Sequence, residues 1–344
     1  QVTLQLDDSA TLIPGQSLSV QFELGSRKGD AAASMRTPKG SSLALMDVPD
    51  SLALLSRFEP SGLVWRSELA RYLVVSDDTG HKDNREHSPW LFSMSAKGKV
   101  DATPIPITGV DKLNDLESIT SDGKTGMYLL TSQSHSRKGK RPKSRTAMVA
   151  VEQVGTSYQA KAVQSLAESL DKAGSPFLNA LGLSNGARDL EIEAMTYHQG
   201  NLYLGLKSPL DAAGNGLIWK MANPQGFLTS GDILQGGLSL WGSAKLSAKI
   251  DGKSVSGGIS ELLFLPDGGL LISSTPSTGD GASTTGALSY VKNPAGKLMS
   301  ATLVREFKGH KPEGLSLSPT PGQVMVVFDA GQETPSWIEV PWPN

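Results

Sequence analysis

The feature that most constrains this chain is a unit that occurs five times. In each copy a glutamate opens a short apolar strand, a turn follows, and a second apolar strand ends in small or polar residues. The copies are Glu59 in EPSGLVW with RYLVVSDDTG, Glu117 in DLESITSDG with MYLLTSQSHS, and Glu193 in EIEAMTYHQG with LYLGLKSPL. Glu261 in ISELLFLPDG with GLLISSTPST and Glu313 in PEGLSLSPTPG with QVMVVFDAG complete the set. The glutamates are 58, 76, 68 and 52 residues apart, enough for four short strands and their loops. The intervening runs supply the outer strands: PWLFSMS and VDATPIPI, RTAMVAVEQV and SYQAKAV, LIWKMA, ALSYVK with SATLVREF, and WIEVPW. Antiparallel meanders repeated around an axis leave few open sheet edges, so the pattern predicts an all-β propeller with five motif-bearing blades.

Two expectations follow for chain organisation. The last copy is short of one outer strand, and the run SLALLSRF (51–58) is predicted to close that blade, making 51–344 the propeller domain. Residues 1–50 hold further strand-like runs without the glutamate unit and are read as N-terminal strands or a sixth, degenerate blade. One stretch breaks the β pattern: across about 161–183, Val163, Leu166, Leu170, Phe177, Leu178 and Leu181 recur at helical spacing. That predicts a helical insertion, either a buttress on a blade edge or a lid beside the channel.

Composition narrows the chemistry. There is no cysteine, which removes disulfides, thiolate zinc sites and thiol nucleophiles. No apolar run reaches the ~18 residues of a membrane span. Glycine and proline number 37 and 20 while charged residues are only 19%, a balance that favours turns over long surface helices. The net charge of −2 provides no overall attraction for nucleic acid, and no aromatic residues interleave the basic segment to stack on bases. A start at Gln1 and the absence of cysteine suggest a trimmed chain from a secreted or periplasmic protein.

The run SQSHSRKGKRPKSRTAMVA (132–150), with LEIEAMTYHQGNLYLGLKSPL (190–210) and KPEGLSLSPTPGQVMVVFDAG (311–331), resembles the bacterial family called domain of unknown function 3616, over about 59–331. The SHSRKGK element carries most of the likeness. The family is similar to the phytase-linked esterase-like propellers, so the resemblance implies a propeller and brings no catalytic residue with it. The chain departs from the family's EGL and GLR patterns at Glu117-Ser118-Ile119, Glu193-Ala194-Met195 and Gly205-Leu206-Lys207. Lysine in the last of these keeps the charge but loses the bidentate fork of arginine.

In a propeller the ends of the innermost strands converge on the axis, so Glu59, Glu117, Glu193, Glu261 and Glu313 are candidates to meet there. Crowded carboxylates raise one another's pKa or require a cation, and Ca²⁺ is the ion expected. The alternative is that each accepts backbone N–H groups from a neighbouring blade. A second constellation, Arg137, Lys138, Lys140, Arg141, Lys143 and Arg145, places six cations in nine residues after Ser134-His135-Ser136. It is either a solvated loop or, with Lys207, a clamp for a small anionic ligand or polymer. His135 is the general-base candidate, with Glu117 and Glu193 as catalytic carboxylates. Asp77, Asp78, His81 and His87 fit no zinc spacing, and the two aspartates are expected to end a strand and cap its turn. GxSxG, HExxH, P-loop and EF-hand motifs are absent. Two functions stay open: a Ca²⁺-dependent hydrolase of phosphoesters or other anionic esters, and a binding propeller for a protein, glycan or anionic polymer.

Overall fold

A computed structural model describes residues 42–53, 58–77, 79, 87–136, 138–277, 283–330 and 333–343. Within Ser41–Asn344 the chain builds five antiparallel blades. Blade 1 is Pro60–Arg66, Arg71–Ser76, Trp90–Met94 and Ile105–Thr108; blade 2 is Leu116–Ser121, Gly126–Thr131, Ala147–Val154 and Ser157–Ser165. Blade 3 is Glu191–His198, Asn201–Ser208, Gly216–Met221 and Leu238–Ala244. Blade 4 is Lys253–Phe264, Leu270–Pro276, Thr284–Val291 and Thr302–Lys308. Blade 5 is Lys311–Leu317, Gln323–Asp329 and Ser336–Pro341, completed by Ala44–Leu45 from the other end of the propeller sequence.

Strand alternation explains why these sheets stack. In a strand with period two, neighbouring side chains leave on opposite faces, and a blade between two others must be apolar on both. Leu73 and Val75 pack toward blade 2, while Tyr72 and Val74 pack toward blade 5. Likewise Leu270 and Ile272 face blade 3, and Leu271 faces blade 5. The core is accordingly divided into five clusters, one at each blade interface. Blades 5 and 1 meet directly: a Cβ on Gly314 would lie 3.1 Å from the Cα of Gly62, so among the described residues the ring closes with five blades.

The expected closing strand 51–58 is replaced by Ala44–Leu45, which pairs with Trp337 and Ser336. Asp50–Ala53 instead forms a short helical turn. Leu52 and Phe58 are apolar because they plug the blade 5 to blade 1 core rather than because they pair in a sheet. The propeller therefore takes in residues before 50, and the rest of the segment read as N-terminal strands, 1–41, lies outside the described residues. The helical insertion is present but starts later than periodicity predicts: Ser157–Ser165 is strand, and helices span Leu166–Ala173 and Ser175–Ala180. Ser165 caps the first helix by accepting from the Glu168 N–H at 3.2 Å. Leu166, Leu170, Leu178 and Leu181 are buried in the core between blades 2 and 3, which makes the insertion a buttress and not a lid.

Candidate functional site at the channel mouth

Every innermost strand carries a bulge, at Ser61, Glu117, Glu193, Ser260 and Glu313, near the strand's start in all but blade 4. A bulge re-aims a side chain at the cost of one unpaired residue. At blades 1, 2, 3 and 5 this residue lines a cavity of about 300 Å³ at the channel mouth. Two residues earlier stand Glu59, Asp115, Glu191, Gly258 and Lys311, of which the four charged residues line the same cavity. Asp77 and Lys207, from the ends of second strands, complete its charged wall. Seven carboxylates thus face two lysines.

The glutamates do not form one ring as the sequence suggests. Glu117, Glu193 and Glu313 are the bulge residues, whereas Glu59 sits two positions before the bulge and Glu261 one after it. Glu261 is 1% exposed and lies one layer further in, where the corresponding residues are Gly62, Ser118, Ala194 and Gly314. It accepts hydrogen bonds from the Ser118 hydroxyl at 2.9 Å, the Met195 N–H at 3.1 Å and the Leu262 N–H at 2.9 Å. It ties blades 2, 3 and 4 together and does not line the mouth.

Asp115, Asp77 and Glu117 form the tightest group: one carboxylate oxygen from each lies within 4.8 Å of the others. Asp115 adopts a left-handed backbone at φ 61°, which aspartate tolerates better than most residues. Its carboxylate accepts from Arg145 and from the Ser132 and Ser134 hydroxyls, and Arg145 donates to Ser134 at 2.8 Å. Burial, then repulsion from Asp115, raises the Asp77 pKa; burial, then Asp77 and Asp115, does the same to Glu117. Asp77 directly follows the end of its strand, as expected, and is a wall of the cavity; Asp78, His81 and most of the turn that the two aspartates were expected to cap lie outside the described residues.

Lys207 is spent on the cavity itself. Its ammonium donates to Glu193 at 2.8 and 3.1 Å and to Thr275 at 2.5 Å. Burial pulls its pKa down, but Glu193 and Glu313 outweigh burial and keep it charged. Glu191 is pushed up to about 7 by burial and then by Glu193. Among the described residues no side chain hydrogen-bonds its carboxyl.

A second cleft of about 740 Å³ adjoins this cavity, sharing Asp115 and Glu191 with it. His135 and Lys138 line it, as does Arg188, which the sequence did not single out. His135 Nδ1 is 3.0 Å from the Arg188 carbonyl oxygen, which can only accept, so Nδ1 carries the proton and a neutral ring keeps its Nε2 lone pair. The rest of the basic run goes elsewhere. Arg141 donates to the Ala187 carbonyl at 2.5 Å, Lys143 is 3.8 Å from Glu168, Lys140 is exposed outside the cleft lining, and Arg137 lies outside the described residues. Of the described residues of the basic run, Lys138 and the Asp115-bound Arg145 line the cleft, and Arg188 joins them.

No family model matches the sequence, and no curated protein matches it. Solved structures with a similar fold include an endo-arabinase from Bacteroides thetaiotaomicron, at 10% identity and TM-score 0.48, covering 87% of this chain and 98% of that one. An endo-1,5-alpha-L-arabinanase from Thermotoga petrophila follows at 13% and 0.42, covering 84% and 76%. An exo-beta-1,3-galactanase from Phanerochaete chrysosporium stands at 8% and 0.46, covering 88% of this chain and 64% of its own. The chain thus spans just under two thirds of the galactanase. The likeness is one of fold, and the substrates of those enzymes are theirs.

Proposed function

We propose that this protein is a divalent-cation-dependent hydrolase, with Ca²⁺ bound by Asp77, Asp115 and Glu117 and an ester carrying an anionic group as its substrate. The observation that carries the reading is the mutual approach of three carboxylate oxygens to within 4.8 Å. Ligand oxygens about 2.4 Å from one Ca²⁺ can be at most about 4.8 Å apart, a limit that the three oxygens meet. Neutralising the group would relieve the repulsion that raises Asp77 and Glu117, and hard oxygen donors without nitrogen or sulfur suit Ca²⁺. Arg145 with Ser132 and Ser134 would hold Asp115 in a fixed orientation, the usual role of groups behind a ligand. An ion held by these three carboxylates would lower the pKa of a bound water and so supply a nucleophile. His135, with Nε2 unprotonated, can take a proton in the adjoining cleft, where Lys138 and Arg188 supply positive charge for the anionic group. Glu193 is bound to Lys207 and serves to fix that lysine rather than to act as a base.

The test is elemental analysis and turnover on generic phosphoesters and carboxylesters before and after EDTA. Stoichiometric metal, lost with activity on chelation and in Glu117→Gln, supports the reading. Metal-free protein that still turns over, or no metal and no turnover, overturns it.

A further inference from the structure

The adjoining cleft has a composition that a bare anion does not explain. Arg145 and Asp115 satisfy each other, which leaves Lys138 and Arg188 facing Asp189 and Glu191. Among the described residues neither cation has an ion-pair partner. Hydroxyls of Ser136 and Ser208 and the Nε2 of His135 add donors and acceptors, and among the described residues Leu190 is the only apolar side chain in the wall. Among the described residues no aromatic ring lines either cavity apart from the His135 imidazole, so they offer no platform for a nucleobase or other flat ring. A polyanion would meet two carboxylates, and an apolar group would strand four charges without water. A ligand rich in hydroxyls suits both signs at once, because each hydroxyl donates one hydrogen bond and accepts others.

We propose that this cleft is a carbohydrate subsite that takes a non-aromatic sugar residue bearing one carboxylate, the hydroxyls on Asp189, Ser208 and His135 and the carboxylate on Lys138 and Arg188. Arginine supplies a planar fork that pairs with a carboxylate through two parallel hydrogen bonds. Because Asp115 and Glu191 belong to both cavities, a sugar seated here places its next bond at the carboxylate cluster. The binding stands on the cleft alone; that the sugar belongs to the hydrolysed substrate rests on the hydrolase reading.

Calorimetry on the full chain in EDTA, with glucuronate, glucose and inorganic phosphate as probes, separates the two. Glucuronate is expected to bind at least tenfold more tightly than glucose or phosphate. Lys138→Ala with Arg188→Ala is expected to reduce it to the level of glucose; both residues are exposed, so the fold, checked by circular dichroism, is retained. A trigalacturonate that outbinds galacturonate identifies the end of an acidic polysaccharide as the source, and equal affinities identify a free sugar acid. Phosphate binding as tightly as glucuronate, no sugar binding, or an unchanged double variant overturns the subsite. Loss of metal dependence with glucuronate binding intact overturns only the hydrolase reading.

Discussion

Glu117 and Glu261 are the same side chain in successive layers of one channel, and their surroundings are opposite. Both have raised pKa values through burial. Around Glu261, two backbone N–H groups and a hydroxyl work against that burial, and glycine or alanine at three of the four corresponding positions leaves room for the carboxylate. Around Glu117, the next causes are further carboxylates, Asp77 and Asp115 first. A buried charge with donors is a fastener; one without them is a demand for a ligand.

The largest effect that could break this contrast is at Glu261. Glu261→Ala removes the acceptor shared by blades 2, 3 and 4, takes the side-chain acceptor from the Leu262 N–H while Met195 and Ser118 keep each other, and opens a cavity; it should cost about 3 kcal/mol, read from urea denaturation. A loss below about 1 kcal/mol would mean the layers are alike. Gly62→Ala should cost about 1–3 kcal/mol in the same assay, because its Cβ would lie 2.8 Å from the Glu117 carbonyl oxygen. Glu117→Gln should have the opposite sign, stabilising metal-free protein by on the order of 1 kcal/mol while weakening Ca²⁺ binding at least tenfold.

A smaller effect sharpens the electrostatics. A carboxyl whose pKa is higher in the folded state holds its proton more tightly there, so its stabilisation is full below the unfolded value. For Glu191 that stabilisation is present below about 4.5 and is lost as pH rises through about 7. Asp77 and Glu117 act in the same direction. Melting temperature of metal-free protein should therefore fall between pH 5 and 8, Glu191→Gln should flatten the fall, and Ca²⁺ should restore the temperature at pH 8. A melting temperature that rises across this range would contradict the mouth as drawn. Least affected should be Lys140→Ala, with unchanged melting and turnover.

The repeat was readable because alternating strands and turns leave a periodic trace: four innermost strands begin within two residues of their glutamate, and the fourth blade's, Lys253–Phe264, contains Glu261 but starts eight residues earlier. Their rank within the channel was not readable. A bulge adds one residue without a compositional mark, so aligning by glutamate put Glu59 and Glu261 where Ser61 and Ser260 stand. Asp115 and Glu191 were within reach, since Asp115-Leu116-Glu117 and Glu191-Ile192-Glu193 repeat an acid at the spacing that returns to one face of a strand. Asp77 and Arg188 carried no such sign. Each reaches the site through contacts between segments far apart in sequence, and only the folded ring makes them neighbours.

The pairing of Ala44–Leu45 with Ser336 and Trp337 has a consequence for biogenesis. A ribosome delivers the first of these segments almost 300 residues before the second, so no earlier moment in synthesis allows the circle to shut. Four blades must wait, stacked and open at one flank, until Ser336 and Trp337 are made and supply the clasp.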